Sequence, residues 1–243
     1  MDWLIGSALD GVFLINSDRR AIRCFVQRPQ QEAWVDVLAR RVLPRVAMLF
    51  GATTVHAASV AKGTGAVMLL GQSGTGKSTT SAYLGSQGWD VLSDDISILW
   101  DPTEPKVAPS TTGVCVWGDS RAGLALPEAQ CLPLAGYPGK VRYVPGGEAA
   151  TDPAPLKALV FLARSPRLEA PVLRPVSAAD GLILAARHRI RFNPADTTGT
   201  EAVGLFQRLS DVVRVTPCYR LHYPAQYSAL PHVAEALEAL IVQ

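Results

Sequence analysis

The sequence predicts an α/β fold, a mixed central sheet with flanking helices, organised around a phosphate-binding loop. Two observations carry that expectation. Gly71-Gln72-Ser73-Gly74-Thr75-Gly76-Lys77-Ser78 matches the pattern G-x-x-x-x-G-K-[ST] at every fixed position. An apolar run over residues 66–70 reads as a buried strand before it and residues 79–86 as a helix after it, which is the order the motif requires.

Taken in order, residues 9–15 and 21–26 read as strands joined by Asn16, Ser17 and Asp18, and are expected to extend or flank a sheet. Across residues 30–49, Trp34, Val37, Leu38, Val42, Val46 and Leu49 recur at helical spacing, with Arg40, Arg41 and Arg45 elsewhere around the turn. Pro44 predicts a break or kink there. Residues 53–60 form an expected strand carrying His56, and Lys62-Gly63-Thr64-Gly65 a hairpin turn into the loop strand, so His56 would lie beside a bound nucleotide. Beyond the loop helix, Gly88 and Trp89 turn into a short apolar segment that ends in Asp94-Asp95, 17 residues past Lys77. Residues 102–109 read as a loop, 114–117 as a strand and 121–126 as a short helix. Residues 127–155, rich in Pro and Gly, read as a long functional or mobile loop. Strands are expected at 156–163, 171–176 and 219–223, and helices at 178–188, 200–213 and 229–242. Gly181 sits inside the first of those helices, where glycine costs helix propensity.

With 243 residues, 48% hydrophobic and 18% charged, the chain is long enough to bury a large core. Residues 1–243 are expected to form one domain, with 1–50 as a small N-terminal strand and helix extension. A net charge of +2 provides no global field for nucleic acid or an anionic membrane, and neither is expected as a partner. Cys24, Cys115, Cys131 and Cys218 lack C-x-x-C spacing, which argues against a zinc site or a disulfide framework and for thiols in a reducing cytosol. The N-terminus has no basic n-region and Asp10 interrupts its apolar stretch, so no signal peptide is expected. No run is long enough to span a bilayer, and a cytoplasmic location is expected.

The loop points to ATP with Mg²⁺. Gly71, Gly74 and Gly76 let backbone N–H groups approach phosphate oxygens, and the positive end of the following helix adds to the same anion site. Ser73, Thr75 and Thr79 complete the nucleotide contacts, Lys77 would reach the β- and γ-phosphates, and Ser78 would ligate Mg²⁺. A carboxylate at a strand end beside such a loop can hold Mg²⁺, and a second can accept a proton from an attacking hydroxyl. Asp94 and Asp95 supply both only if the backbone turns at the pair, because neighbouring side chains on a strand point to opposite faces. His56 reads either as a donor to the transferring phosphate or partner to the base, or as a structural imidazole.

Val55-His56-Ala57-Ala58, the run from Gly71 to Thr79, the turn at Gly88-Trp89 and Leu92-Ser93-Asp94-Asp95 together resemble the catalytic domain of the bacterial HPr serine kinase/phosphorylase family. The loop form with a trailing Asp-Asp is also similar to that of the phosphoenolpyruvate carboxykinases. The resemblance is close over residues 50–100 and implies a P-loop kinase of the HPr kinase/phosphoenolpyruvate carboxykinase-like type. It implies phosphate and metal binding by Lys77 and Ser78, phosphate positioning by His56, and magnesium ligation and general-base roles for Asp94 and Asp95 in an order left open. Ser78 and Asp94 are the first choice for the metal. The family's later Glu-Arg-Gly-Leu-Gly signature, tied to its phosphorylase reaction and hexamer, is not found here, and about fifty residues stand where the family has a separate N-terminal domain. The chain therefore looks like shorter stand-alone relatives, some of which phosphorylate the C-terminal serine of a lasso-peptide precursor.

The expected function is Mg-ATP-dependent transfer of the γ-phosphate to a serine hydroxyl of a peptide or small protein. A nucleotide-binding switch with slow hydrolysis and a small-molecule kinase are the alternatives. Lys140 and Arg142, or the knot of Arg187, His188, Arg189 and Arg191, would contact the triphosphate or an anionic peptide terminus, the knot being preferred, unless each is a solvated basic face. Arg121 is a weaker candidate. A homo-oligomer is left open.

Overall fold

The computed structural model describes residues 2–7, 11–16, 18, 20–26, 33–111, 113–134, 137–192 and 199–242. Strands β1 (Trp3–Ser7), β2 (Gly11–Ile15) and β3 (Ile22–Phe25) form an antiparallel sheet of their own, so of the two expected roles they do not extend the main sheet. The expected strand start at Leu9 and helix start at Gln30 lie outside the described residues. Helix α1 (Ala33–Val37) passes through a π-helical turn, Leu38–Val42, into α2 (Leu43–Leu49). Pro44 has no N–H for the Arg40 carbonyl four residues back, and a widened turn before it avoids the clash without ending the helix. Phe13 and Ile15 pack against Val37, Val42 and Val46 in a small separate core.

The central part of the chain runs β4 (Thr53–Val55), β5 (Ala57–Lys62), β6 (Gly65–Leu70), α3 (Lys77–Ser86), β7 (Asp90–Ser93), β8 (Ser97–Trp100) and β9 (Lys106–Ala108). The single strand expected over residues 53–60 is two strands, broken at His56. The loop expected at 102–109 contains β9, which pairs with β8. Next come β10 (Val114–Trp117), α4 (Gly118–Gly123), a 3-10 turn at Glu128–Gln130, β11 (Cys131–Pro133) and β12 (Lys140–Tyr143). The helix expected over 121–126 thus begins and ends earlier. The long loop expected at 127–155 holds two strands of a second antiparallel sheet, ordered β10-β12-β11. Its strands were hidden by Pro133, Pro138 and Gly139, and they form because β10 supplies a distant partner.

The last part comprises β13 (Ala154–Arg164), β14 (Val172–Val176), α5 (Ala178–Ala186), α6 (Thr200–Val215), β15 (Cys218–Tyr223), a 3-10 turn at Tyr227–Ala229 and α7 (Leu230–Glu238). In the nine-stranded mixed sheet, β6, β13 and β15 are parallel neighbours, β5 pairs antiparallel with both β6 and β7, and β14 closes the opposite edge. The β4-β8-β9 strands join at the start of β13. One face of the sheet packs on α5 and α6, the other on α3 and α7. Among the described residues no helix is long and apolar enough to cross a membrane.

β6 is buried at all six positions, as a strand covered on both faces should be. Each of Met68, Leu69 and Leu70 contributes about 1.5–3 kcal/mol by burial, so the glycine loop leaves a strand that cannot slip without exposing core. The small residues Ser81, Ala82 and Gly85 bring α3 close to its cover. A Cβ on Gly85 would lie 2.8 Å from Pro145, and Ala82 packs with Val114, Val116 and Tyr143 of the second sheet.

Candidate active site

The C-terminal ends of the parallel strands β6, β13 and β15 converge on one edge, where ligands bind in open α/β sheets. A cavity of about 480 Å³ opens there. Ser73, Gly74, Gly76, Lys77, Ser78 and Thr79 line it, whereas Gly71 and Thr75, expected as nucleotide contacts, do not. Gly74 and Gly76 have φ of 82° and 100°, the left-handed region glycine favours. A Cβ on Gly76 would lie 2.2 Å from the Tyr223 hydroxyl, which donates to the Thr75 carbonyl at 2.5 Å, and Arg164 passes above the same glycine. Thr75 Oγ1 donates to the Gln72 carbonyl at 2.8 Å. Helix α3 starts at Lys77 with no side-chain cap and no carboxylate in its first turn, so no side chain of its own caps its leading N–H groups. Lys77 Nζ donates to the Gly71 carbonyl at 2.6 Å, and burial lowers its pKa against the raising effect of Asp95 and Asp94.

The backbone bends at Asp94 and Asp95, between β7 and β8, and both carboxylates line the cavity. Buried serines clamp the bend. Ser93 and Ser97 Oγ atoms are 2.5 Å apart, Ser97 is 2.7 Å from Ser59 Oγ, and Ser97 donates to the Ala57 carbonyl at 3.2 Å.

The two carboxylates have opposite surroundings. Asp94 is buried; its Oδ2 accepts the Cys115 N–H at 2.8 Å, and its Oδ1 has no hydrogen-bond partner. Burial raises its pKa, opposed by the Cys115 N–H, Arg40 and the neighbouring Ser78 hydroxyl. A buried oxygen without a partner is costly, and a hard cation held jointly with Ser78 would satisfy it. Among the described residues no cluster of three or more His, Cys, Asp or Glu side chains could hold a metal by itself. That donor set suits Mg²⁺, which is usually held by one or two protein ligands together with phosphates.

Asp95 is pulled down to about 2, chiefly by its hydrogen bond with His56, against burial, with the charges of His56, Arg40 and Arg41 assisting. His56 interrupts the strand between β4 and β5. Its Nδ1 lies 3.2 Å from Asp95 Oδ1 and 2.9 Å from the Asp95 carbonyl. Its own N–H donates to the His188 carbonyl at 2.6 Å. His188 is held down to about 4 by burial, with the charges of Lys77, His56 and Arg187 contributing.

Of the basic residues expected near the acceptor, Lys140 lines the cavity, its ammonium 4.6 Å from the Trp117 ring centroid. Arg142 pairs with Asp36 across the cavity wall. Arg187 and Arg189 do not line it: Arg187 opens onto a separate groove, and Arg189 donates to the Ala186 carbonyl. Sequence reasoning did not single out Arg40, which the π turn brings within 3.9 Å of Asp94, 3.6 Å of Asp95 and 3.3 Å of Asp36. Nor did it single out Arg41, whose guanidinium donates to the Tyr137 hydroxyl at 2.8 Å, or Arg164. Arg164 was findable in principle, as a cation at the end of a strand parallel to the loop strand. Burial holds the Cys115 thiol up at about 11, so it stays protonated at neutral pH.

No family model matches the chain, and no curated protein matches it in sequence. Among solved structures it is similar to the HPr(Ser) kinase/phosphatase from Coxiella burnetii, with 12% identity over 76% of this chain and 94% of that chain and a TM-score of 0.41. At that score and identity the likeness carries neither site residues nor a reaction across.

Proposed function

We propose that the chain is a Mg-ATP-dependent kinase that transfers the γ-phosphate to a serine hydroxyl of a peptide or small protein. The observation that carries this reading is the bend at Asp94–Asp95. It sets one buried carboxylate oxygen without a partner and one ionised carboxylate held by a histidine into the same cavity as an uncapped helix N-terminus. The loop and the first turn of α3 would hold the triphosphate, and Lys77, which donates to the Gly71 carbonyl, would turn to the β- and γ-oxygens. Ser78 and Asp94 would hold Mg²⁺, which would offset phosphate charge.

Asp95 faces the acceptor hydroxyl. As the serine oxygen bonds to the γ-phosphorus and the bond to the β–γ bridging oxygen breaks, the hydroxyl proton passes to Asp95 and ADP leaves. A carboxylate with so low a pKa is a weak base, and phosphoryl transfer needs little deprotonation before the transition state. Asp95 thus acts mainly by orientation, and His56 fixes the carboxylate's angle. Arg40, Arg41 and Arg164 offset charge on the transferring group.

The test is mass spectrometry of serine-containing peptides after incubation with ATP and Mg²⁺, beside binding of a fluorescent ATP analogue. A gain of one phosphate, lost in Asp95→Asn while analogue binding persists, is expected. Analogue binding without transfer to any peptide would leave a nucleotide-binding switch instead. Phosphorylation of a C-terminal serine in particular, as in lasso-peptide precursors, would be read from the fragment ions.

A further inference from the structure

A second groove, about 560 Å³ in volume, runs between α5 and the uncovered part of the β14–β15 ladder. Arg174, Arg187, Arg220 and His222 line it. Arg174 and Arg220 stand directly opposite each other in the antiparallel register. Like charges in that position destabilise a sheet. Among the described residues none of the three arginines makes an ion pair. The carboxylate that does line the groove, Asp180, takes part in the cap of α5, its Oδ2 accepting the Ser177 hydroxyl at 2.7 Å, so three guanidinium groups face a single carboxylate there. Protection of an exposed sheet edge by charge and proline accounts for Arg174 and Pro175 on β14. It does not account for Arg220 on the inner strand, and Arg187, at the C-cap of α5 where the helix dipole favours a cation, adds its charge to the same groove.

Resting on the peptide-kinase reading, we infer that this groove docks an acidic segment of the acceptor peptide. Guanidinium forks match carboxylates in a bidentate way, and Val176, Ile183 and Leu184 give the groove an apolar wall that a small free anion would not use. Its volume also exceeds what one phosphate fills. Both walls lead to the candidate active site. Arg187 immediately precedes His188, whose carbonyl receives the His56 N–H, and β15 ends at Tyr223, whose hydroxyl holds the loop at Thr75. A peptide whose acidic residues lie in the groove would thus pass its next residues toward Asp95.

The test uses the full chain and a short fluorescein-labelled peptide of alternating glutamate and leucine ending in serine, against the same peptide with glutamine for glutamate. Fluorescence anisotropy without nucleotide should show the glutamate peptide binding more tightly, with affinity falling as salt is raised. In Arg174→Glu/Arg220→Glu the preference should drop about tenfold, as expected for losing two partly exposed charge pairs, and a lysine-for-glutamate peptide should gain. Binding of the fluorescent ATP analogue should not change, which controls for folding. Equal binding of the two peptides by the wild type, or an intact preference in the double variant, overturns the proposal. So does displacement of the peptide by a single-stranded oligonucleotide at lower concentration, which would assign the groove to nucleic acid. An intact glutamate preference in a chain that transfers no phosphate keeps the groove and removes the kinase reading; transfer without the preference does the reverse.

Discussion

Asp95→Asn should remove a share of the folding free energy that depends on pH. The Asp95 carboxyl falls from 3.8 to about 2 in the folded chain, with the hydrogen bond from His56 the largest cause. Its side chain is 32% exposed. At about 1.4 kcal/mol per tenfold change in proton affinity, and allowing for that exposure, the contribution is about 2 kcal/mol. A carboxyl whose pKa is depressed by folding stabilises the protein above its unfolded value and loses that contribution as pH falls through the folded one. The difference in urea-unfolding free energy between wild type and Asp95→Asn should therefore be full at about pH 6 and shrink by about 2 kcal/mol between about pH 4 and about pH 2. Carbon-13 NMR of the carboxyl should give a midpoint near 2 in the wild type, moving back toward 3.8 in His56→Ala. An ordinary midpoint in the wild type, or a stability difference flat across that window, would refute the coupling of Asp95 to His56.

Asp94→Asn has the opposite sign. Burial raises the Asp94 pKa, so its ionised form is a cost at neutral pH, and the neutral amide should leave the metal-free melting temperature equal or higher. The rise in melting temperature on adding Mg-ATP should disappear. Gly76→Ala meets both a φ of 100° and the Tyr223 hydroxyl at 2.2 Å, whereas Gly74→Ala meets only a φ of 82° in open space. Calorimetry should show a loss of about 1–3 kcal/mol for the first and the lower end of that range for the second, with ATP-analogue binding weakened far more by the first. Ser97→Ala should cost about 1–3 kcal/mol in chemical denaturation by orphaning the buried Ser59 and Ser93 hydroxyls. Gly181→Ala should destabilise by about 1–3 kcal/mol through overpacking, because its Cβ would lie 2.6 Å from Cys218 Sγ.

What the sequence made legible was the chemistry written into contiguous residues. The strand, glycine loop and helix around Lys77 are local, and the requirement that the chain turn at Asp94–Asp95 follows from strand geometry alone. The interruption at His56 was invisible, because the apolar pattern from Thr53 to Val60 runs across it; the break arises from contacts with Asp95 and His188, distant in sequence. Strands β11 and β12 were concealed for the same reason, their proline and glycine content outweighed only by pairing with β10. Gly181 weakened the helix expectation locally, yet its missing side chain is what lets α5 settle on Cys218. Arg40 and Arg41 read only as positions off the apolar stripe of an amphipathic helix, whereas in the folded chain both stand in the widened turn before Pro44 and line the cavity.

That widened turn ties the acidic pair to the small N-terminal hydrophobic cluster, whose Val37 reaches the cavity wall. Phe13 and Val42 hold the inner side of the segment from which Arg40 and Arg41 project. Hollowing out the cluster, as Phe13→Ala would, lets both guanidinium groups drift while every atom of the pocket stays chemically intact. Faults in this packing layer would then masquerade as defects of the candidate site itself.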